Sequence, residues 1–160
     1  MSLSRKIAAV LDARPEAGAL PCDVAAEEGP HRVSLHVTAS GPVGLAFDSL
    51  EFTTSARAEW STDDLRRRGD RLAARLTYLM EPLVVLEVDP IEGEVELRSQ
   101  SPTARDGRRS YYEVRLNRQG ALRLGRVNYD ESTRKRQPAF CQMTREVLER
   151  LTEDLVGSVA

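Results

Sequence analysis

Apolar residues recur along this chain with two periods, and the changes from one period to the other divide it into helices and strands. Leu3, Ile7, Val10 and Leu11 fall at helical spacing, which predicts a short amphipathic helix over residues 3–13 that stops before Pro15. Residues 15–30, rich in Pro, Gly, Ala and Glu, read as an irregular connector, within which Leu20, Cys22 and Val24 alternate as a brief strand would. Val33, Leu35 and Val37 then alternate with Ser34, His36 and Thr38. After the Ser40-Gly41-Pro42 turn, Val43, Leu45 and Phe47 continue the two-residue period, so this stretch predicts a hairpin with one face toward a core.

Ser61-Thr62-Asp63-Asp64 is a helix-start signal, because a hydroxyl caps free N–H groups and the aspartates suit the positive end of the helix dipole. A helix of about four turns follows. Its apolar line runs Leu65, Gly69, Leu72, Leu76 and Leu79, with Arg66, Arg67, Arg68, Arg71 and Arg75 over its other sides, and Pro82 closes the segment. Trp60, just before the cap, is placed to staple the helix start against a sheet. From Leu83 to Met143 the period is two again. Strands are predicted at 83–89, 94–101, 110–117, 121–129 and 137–143, joined by connections too short for parallel crossovers and therefore antiparallel. Thr144 then caps a final helix carrying Val147, Leu148, Leu151, Leu155 and Val159 on one side.

These elements predict an α+β fold: a curved, mostly antiparallel sheet of about seven strands, two amphipathic helices packed on one face, and a short N-terminal helix. The order of two strands, helix, five strands and a long final helix is similar to that of helix-grip folds, which wrap a sheet around a helix and enclose an apolar cavity. The extra N-terminal helix departs from that pattern.

At 160 residues the chain fits a single domain, 1–160, large enough to bury roughly 68–70 % of its unfolded surface. The apolar run Ile7–Leu11 is too short for a signal core or a membrane span, and Cys22 and Cys141 lack CxxC spacing, so the expected setting is the reducing cytoplasm. Charge changes the picture more than composition does. Residues 101–140 carry ten Arg or Lys against four Asp or Glu, whereas the rest of the chain is acidic and the total is −2.

Pairing register turns that bias into a surface. A three-residue loop at Arg118-Gln119-Gly120 sets Leu116 opposite Leu122 and Val114 opposite Leu124, and on the other face Arg115 opposite Arg123. A two-residue loop at Asp106-Gly107 would align Leu97 with Leu116 and add Arg98 across from Arg115, making a row of three arginines with Glu113 diagonal to Arg98 and Arg123. Tyr111 would lie on this face and stack on an arginine or a ligand, while Tyr112 enters the core. The turns should gather Arg105, Arg108 and Arg109 with Arg134, Lys135 and Arg136 at one end of the sheet.

Like charges directly opposite each other destabilise a sheet, so the row invites a partner. The residues that specify metal, phosphate-loop or nucleophile chemistry are not arranged in any recognisable motif, and neither His31 nor His36 belongs to a metal-binding pattern. No cofactor, metal or catalytic residue is assigned. The favoured reading is a non-enzymatic interaction module that binds an acidic protein, an anion or a second copy of itself through Arg98, Arg115, Arg123, Tyr111 and the basic turns. Rival readings are a binder of a small apolar ligand between sheet and helices, and an enzyme of unrecognised type. Nucleic acid is disfavoured by a pI of 5.8 and an aromatic content of 5 %.

Overall fold

A computed structural model describes residues 1–13, 20–79, 81–100 and 103–159. Among these, helix α1 (Leu3–Ala13) is followed by strands β1 (Cys22–Glu28), β2 (His31–Ser40) and β3 (Gly44–Thr54), then helix α2 (Thr62–Arg75). Strands β4 (Leu83–Asp89), β5 (Glu94–Ser99), β6 (Thr103–Arg105), β7 (Arg108–Asn117), β8 (Leu122–Asp130), β9 (Lys135–Ala139) and β10 (Cys141–Thr144) lead to helix α3 (Arg145–Gly157). The chain is α+β with one antiparallel sheet whose main path runs β1-β2-β3-β8-β7-β5-β4. No helix of the described residues is long and apolar enough to cross a membrane.

The apolar stripes meet on one side of the sheet. Leu3, Ile7 and Leu11 of α1, Leu65 and Leu72 of α2, and Leu148, Leu151 and Leu155 of α3 share one buried cluster with Val33, Leu35, Leu97, Val114, Leu116 and Leu124. The N-terminal helix therefore joins the other two on the same face. Ser61 accepts from the Asp64 N–H and Thr144 from the Val147 N–H, as their positions before the two helices predicted. Trp60 is fully buried ahead of the Ser61 cap, in the same cluster as Leu65.

Several expectations are corrected. The connector 15–30 is largely strand: β1 occupies its second half, and residues 15–19 lie outside the described residues. Val43 is 74 % exposed because it belongs to the turn, and the β2–β3 ladder shifts register around Val37 so that Phe47, Leu50 and Phe52 face inward. Arg68 does not join its neighbours outside α2. It stands three residues after Leu65 and four before Leu72, and so falls within the apolar stripe. Its guanidinium is fully buried, 4.9 Å from the Trp60 ring, and donates to Ser158 Oγ (3.3 Å) and the Gly120 carbonyl (3.2 Å). Burial, with the nearby charge of Arg71, lowers its pKa to about 10. Arg71 donates twice to the Ser158 carbonyl, a cation at the negative end of α3 that ties the helices together.

The final predicted strand, 137–143, is two strands with different partners. β9 pairs with β8, and after Phe140 β10 pairs with β3. Strands β3 and β8 pair with each other from Ser49↔Gly125 to Phe52↔Leu122. Beyond Gly125 they part, and β9–β10 occupies the fork. Alternation alone reports which face a residue takes, not which neighbour its strand selects.

Gly120, at φ +86°, closes the β7–β8 loop, and a methyl group there would lie 2.9 Å from Trp60 Nε1 and 3.2 Å from the Thr54 carbonyl. Gly120→Ala therefore combines left-handed backbone strain with a steric clash. Urea denaturation followed by Trp60 fluorescence should show a loss of roughly 2–3 kcal/mol; an unchanged midpoint would contradict this packing.

Candidate anion-binding face

The outward side of β7, β8 and β5 carries the charged residues, because their inward neighbours supply the core. The β7–β8 register is the expected one: Val114↔Leu124, Arg115↔Arg123 and Leu116↔Leu122. The β5 register is not. Leu97 pairs with Val114, Glu96 with Arg115 and Arg98 with Glu113. The Asp106-Gly107 turn forms as predicted, with both residues at positive φ and Arg105 opposite Arg108. Seven positions separate Arg98 from Arg105, however, and five separate Arg108 from Glu113. The two extra residues fall between Ser99 and Thr103. A slip of two keeps each side chain on its face and changes its neighbour, so the three-arginine row becomes Arg123, Arg115, Glu96.

Glu113 is the hub of this face. Its side chain is 13 % exposed and accepts from Arg115 Nε (2.9 Å) and Arg136 Nη2 (2.5 Å), with Arg98 Nε at 3.6 Å. Arg98 and Arg115 also reach Glu96, at 3.0 and 3.7 Å. Burial pushes the Glu113 pKa up, but the Arg115 hydrogen bond and the charges of Arg115, Arg136 and Arg98 outweigh it and hold the carboxyl below its ordinary 4.5. Arg98 and Arg136 lie over Tyr111, at 5.2 and 6.0 Å from the ring centroid, and leave it 9 % exposed. Tyr111 therefore stacks on arginine as expected, on two of them, while Tyr112 is buried in the core. Arg123 differs from the rest: among the described residues no carboxylate lies within 4.0 Å of it, and no aromatic ring takes it.

Beside these arginines the β3–β8 fork opens a cleft of about 470 Å³. Gly125 forms part of its lining at the apex, between Asp48 and Ser49 on one arm and Val127 and Pro138 on the other. Arg115, Arg123 and Arg136 line it with Glu113. Arg126, also in the lining, lies 3.6 Å from buried Glu81 and 4.6 Å over the Tyr112 ring. Asp48 is countered by His36, whose Nε2 is 3.5 Å away while its Nδ1 lies 2.7 Å from Asp23. The cleft and its Gly125 lining escaped the sequence reading. A glycine inside an otherwise well-formed strand was the available signal.

The remaining predicted residues sit apart, at the turn end. Arg109↔Tyr129↔Arg136 and Arg108↔Asp130↔Lys135 run across three strands, Arg105 faces Arg108, and Arg134 occupies the β8–β9 turn at φ 56°. Arg109 pairs with Glu131 at 2.6 Å, and the Arg136 side chain turns away to Glu113. Burial pushes the Cys141 thiol up to about 12, and the described residues contain no cluster of three His, Cys, Asp or Glu suited to a metal.

Glu113→Gln leaves three guanidinium groups short of their acceptor and should cost roughly 1–3 kcal/mol in chemical denaturation at neutral pH. Because its folded pKa is lowered, the contribution of Glu113 is complete above 4.5 and is lost as pH falls through the folded value. The variant should therefore lose less stability than wild type on acidification; parallel acid limbs would rule out this role. His36 shifts the other way: its hydrogen bond to Asp23 raises its pKa against burial, helped by the charges of Asp23 and Asp48. Its contribution is complete below 6.5 and fades as pH rises through the raised value. NMR titration of the imidazole should give a midpoint above 6.5 that moves down in Asp23→Asn, and a midpoint unmoved by the substitution would refute the pairing.

Comparison of this chain with protein families, with curated proteins and with solved structures gives no match, so the functional reading rests on the cleft and its charges.

Proposed function

We propose that this protein is a non-enzymatic binding module for an anionic partner, recognised by the arginine-bearing sheet face where it borders the Gly125 cleft. The observation that carries the reading is Arg123. It stands directly opposite Arg115, against the cost of like charges in a ladder, and it lines a concave surface without an ion pair within 4.0 Å among the described residues, Glu51 beside it on β3 included. An anion seated there would relieve the Arg115–Arg123 repulsion and gain hydrogen bonds from charged donors.

The rival readings draw less support. Trp60, Phe47, Phe52, Leu65, Leu72 and Leu97 are fully buried between sheet and helices, which leaves the apolar-ligand reading without an observation of its own. For catalysis, the most enclosed carboxylate of the cleft, Glu113, is stabilised in its ionised form by three guanidinium groups. That arrangement suits a structural anion better than a proton donor or acceptor near neutral pH.

Amide NMR shifts during titration with an unlabelled hexaglutamate peptide test the reading. Shifts should cluster at Glu113–Val127 and Arg136–Pro138, weaken several-fold as salt rises from about 50 to 200 mM, and vanish in Arg123→Glu. The peptide should be recovered unchanged. Shifts confined to the Asp106 and Ser132 turns would move recognition to the sheet end, and a peptide that shifts nothing would sink the proposal.

A further inference from the structure

Accepting the anion-binding reading as its basis, we infer that the Gly125 cleft takes a small planar aromatic acid, with its ring over Gly125 against Val127 and Pro138 and its acidic group toward Arg123 and Arg115. Three observations lead there.

The first is that the space is kept open without a structural need for glycine. Gly125 does not have the left-handed backbone that requires one, and a Cβ built on it would meet nothing closer than the Asp48 carbonyl at 3.7 Å, an ordinary contact. A glycine weakens a strand, so a position that could accept a side chain and lacks one preserves room over the sheet. That room, about 470 Å³, falls in the range of small-molecule sites, roughly 300–1,000 Å³. A flat protein interface would not need it.

The second is the division of the lining. Val127 and Pro138 present hydrocarbon on the β8–β9 arm, while the cations Arg115, Arg123 and Arg136 line the same cleft. A compact inorganic anion would satisfy the cations and leave the hydrocarbon arm wet. A neutral apolar molecule would do the reverse. A ligand with an apolar body and one acidic group meets both.

The third is how guanidinium groups are used elsewhere in the chain. Arg57 lies over Trp60 at 4.4 Å, Arg150 over Tyr78 at 4.1 Å, Arg126 over Tyr112, and Arg98 and Arg136 over Tyr111. Arg115 and Arg123, the directly opposed pair of the face, have no aromatic ring among the described residues. A planar ligand would give them one, since guanidinium planes stack on aromatic faces as well as pairing with carboxylates.

The probes are 2-naphthoate, acetate, inorganic phosphate and neutral 2-naphthylmethanol, each titrated into the full chain by amide NMR. Naphthoate should bind at least about tenfold more tightly than any of the other three, as expected when both a ring and a charge are recognised. Intermolecular NOEs should connect its ring protons to the Val127 methyl groups and the Pro138 ring. Gly125→Val should fold with a thermal midpoint at or above wild type and lose naphthoate binding. Should that variant fail to fold, the NOE pattern on the unaltered protein decides the question alone. If acetate or phosphate binds as well as naphthoate, or the NOEs lie elsewhere, the aromatic-acid assignment is overturned, while hexaglutamate shifts abolished by Arg123→Glu would leave the broader anion-binding reading standing. If hexaglutamate and all three anions leave the spectrum unmoved, both fall together.

Discussion

Four residue pairs, from Ser49↔Gly125 to Phe52↔Leu122, join the three N-terminal strands directly to the meander that follows α2. Past them the two strands diverge, and each would expose a run of unpaired backbone groups that a sheet interior cannot leave unsatisfied. The β9–β10 segment answers this by pairing its first half with β8 and its second half with β3. One wedge thus completes two ladders, and its change of partner takes place at Phe140, which is 59 % exposed. The cleft at Gly125 is the geometric remainder of that arrangement. Where two strands separate and a third segment pairs with each in turn, the sheet surface at the point of parting is left less covered.

The charged face shows the same economy of neighbours. Arg115 opposite Arg123 is an unfavourable pair taken alone, yet Arg115 is held on its other side by Glu96 and along its own strand by Glu113. Glu113 gathers guanidinium groups from β5, β7 and β9 and so acts as a cross-brace over three strands. Its shelter is what makes the brace effective, since the same ion pairs in full solvent would contribute little. Arg123 is outside the brace, next to Glu51 in the register but without an ion pair to it. The imbalance of this face is therefore local to one guanidinium and not a general excess of positive charge.

The legible features were those decided by nearest neighbours in sequence. Helix α1 was bounded by its apolar spacing, the Ser61 and Thr144 caps by their hydroxyls, and the β7–β8 register by the need to match Val114 and Leu116 with apolar partners across a short loop. What escaped was decided by distant partners. Nothing near Gln137–Met143 indicates that its two halves pair with different strands, because both halves alternate in the same way. Arg68 sat in plain view at a core position of α2, but its charge argued against burial, and the Trp60 ring, the Gly120 carbonyl and the Ser158 hydroxyl that accommodate it are 8, 52 and 90 residues away. The arginine row failed for a third reason. The Asp106-Gly107 turn sets the register of β6 against β7, and β5 lies beyond an excess of two residues that the turn does not control.

The two-residue excess between Ser99 and Thr103 separates two properties that are normally inherited together. The inward face of β5 sees a slip of two positions as an exchange of one aliphatic neighbour for another, Val114 in place of Leu116 opposite Leu97. The outward face sees a change of sign, with Arg98 meeting Glu113 where it would otherwise meet Arg115. Length variation in this connection could therefore alter the electrostatic character of the sheet while the hydrophobic core stays nearly indifferent, which offers a lineage of such chains a route to new surface chemistry without a new fold.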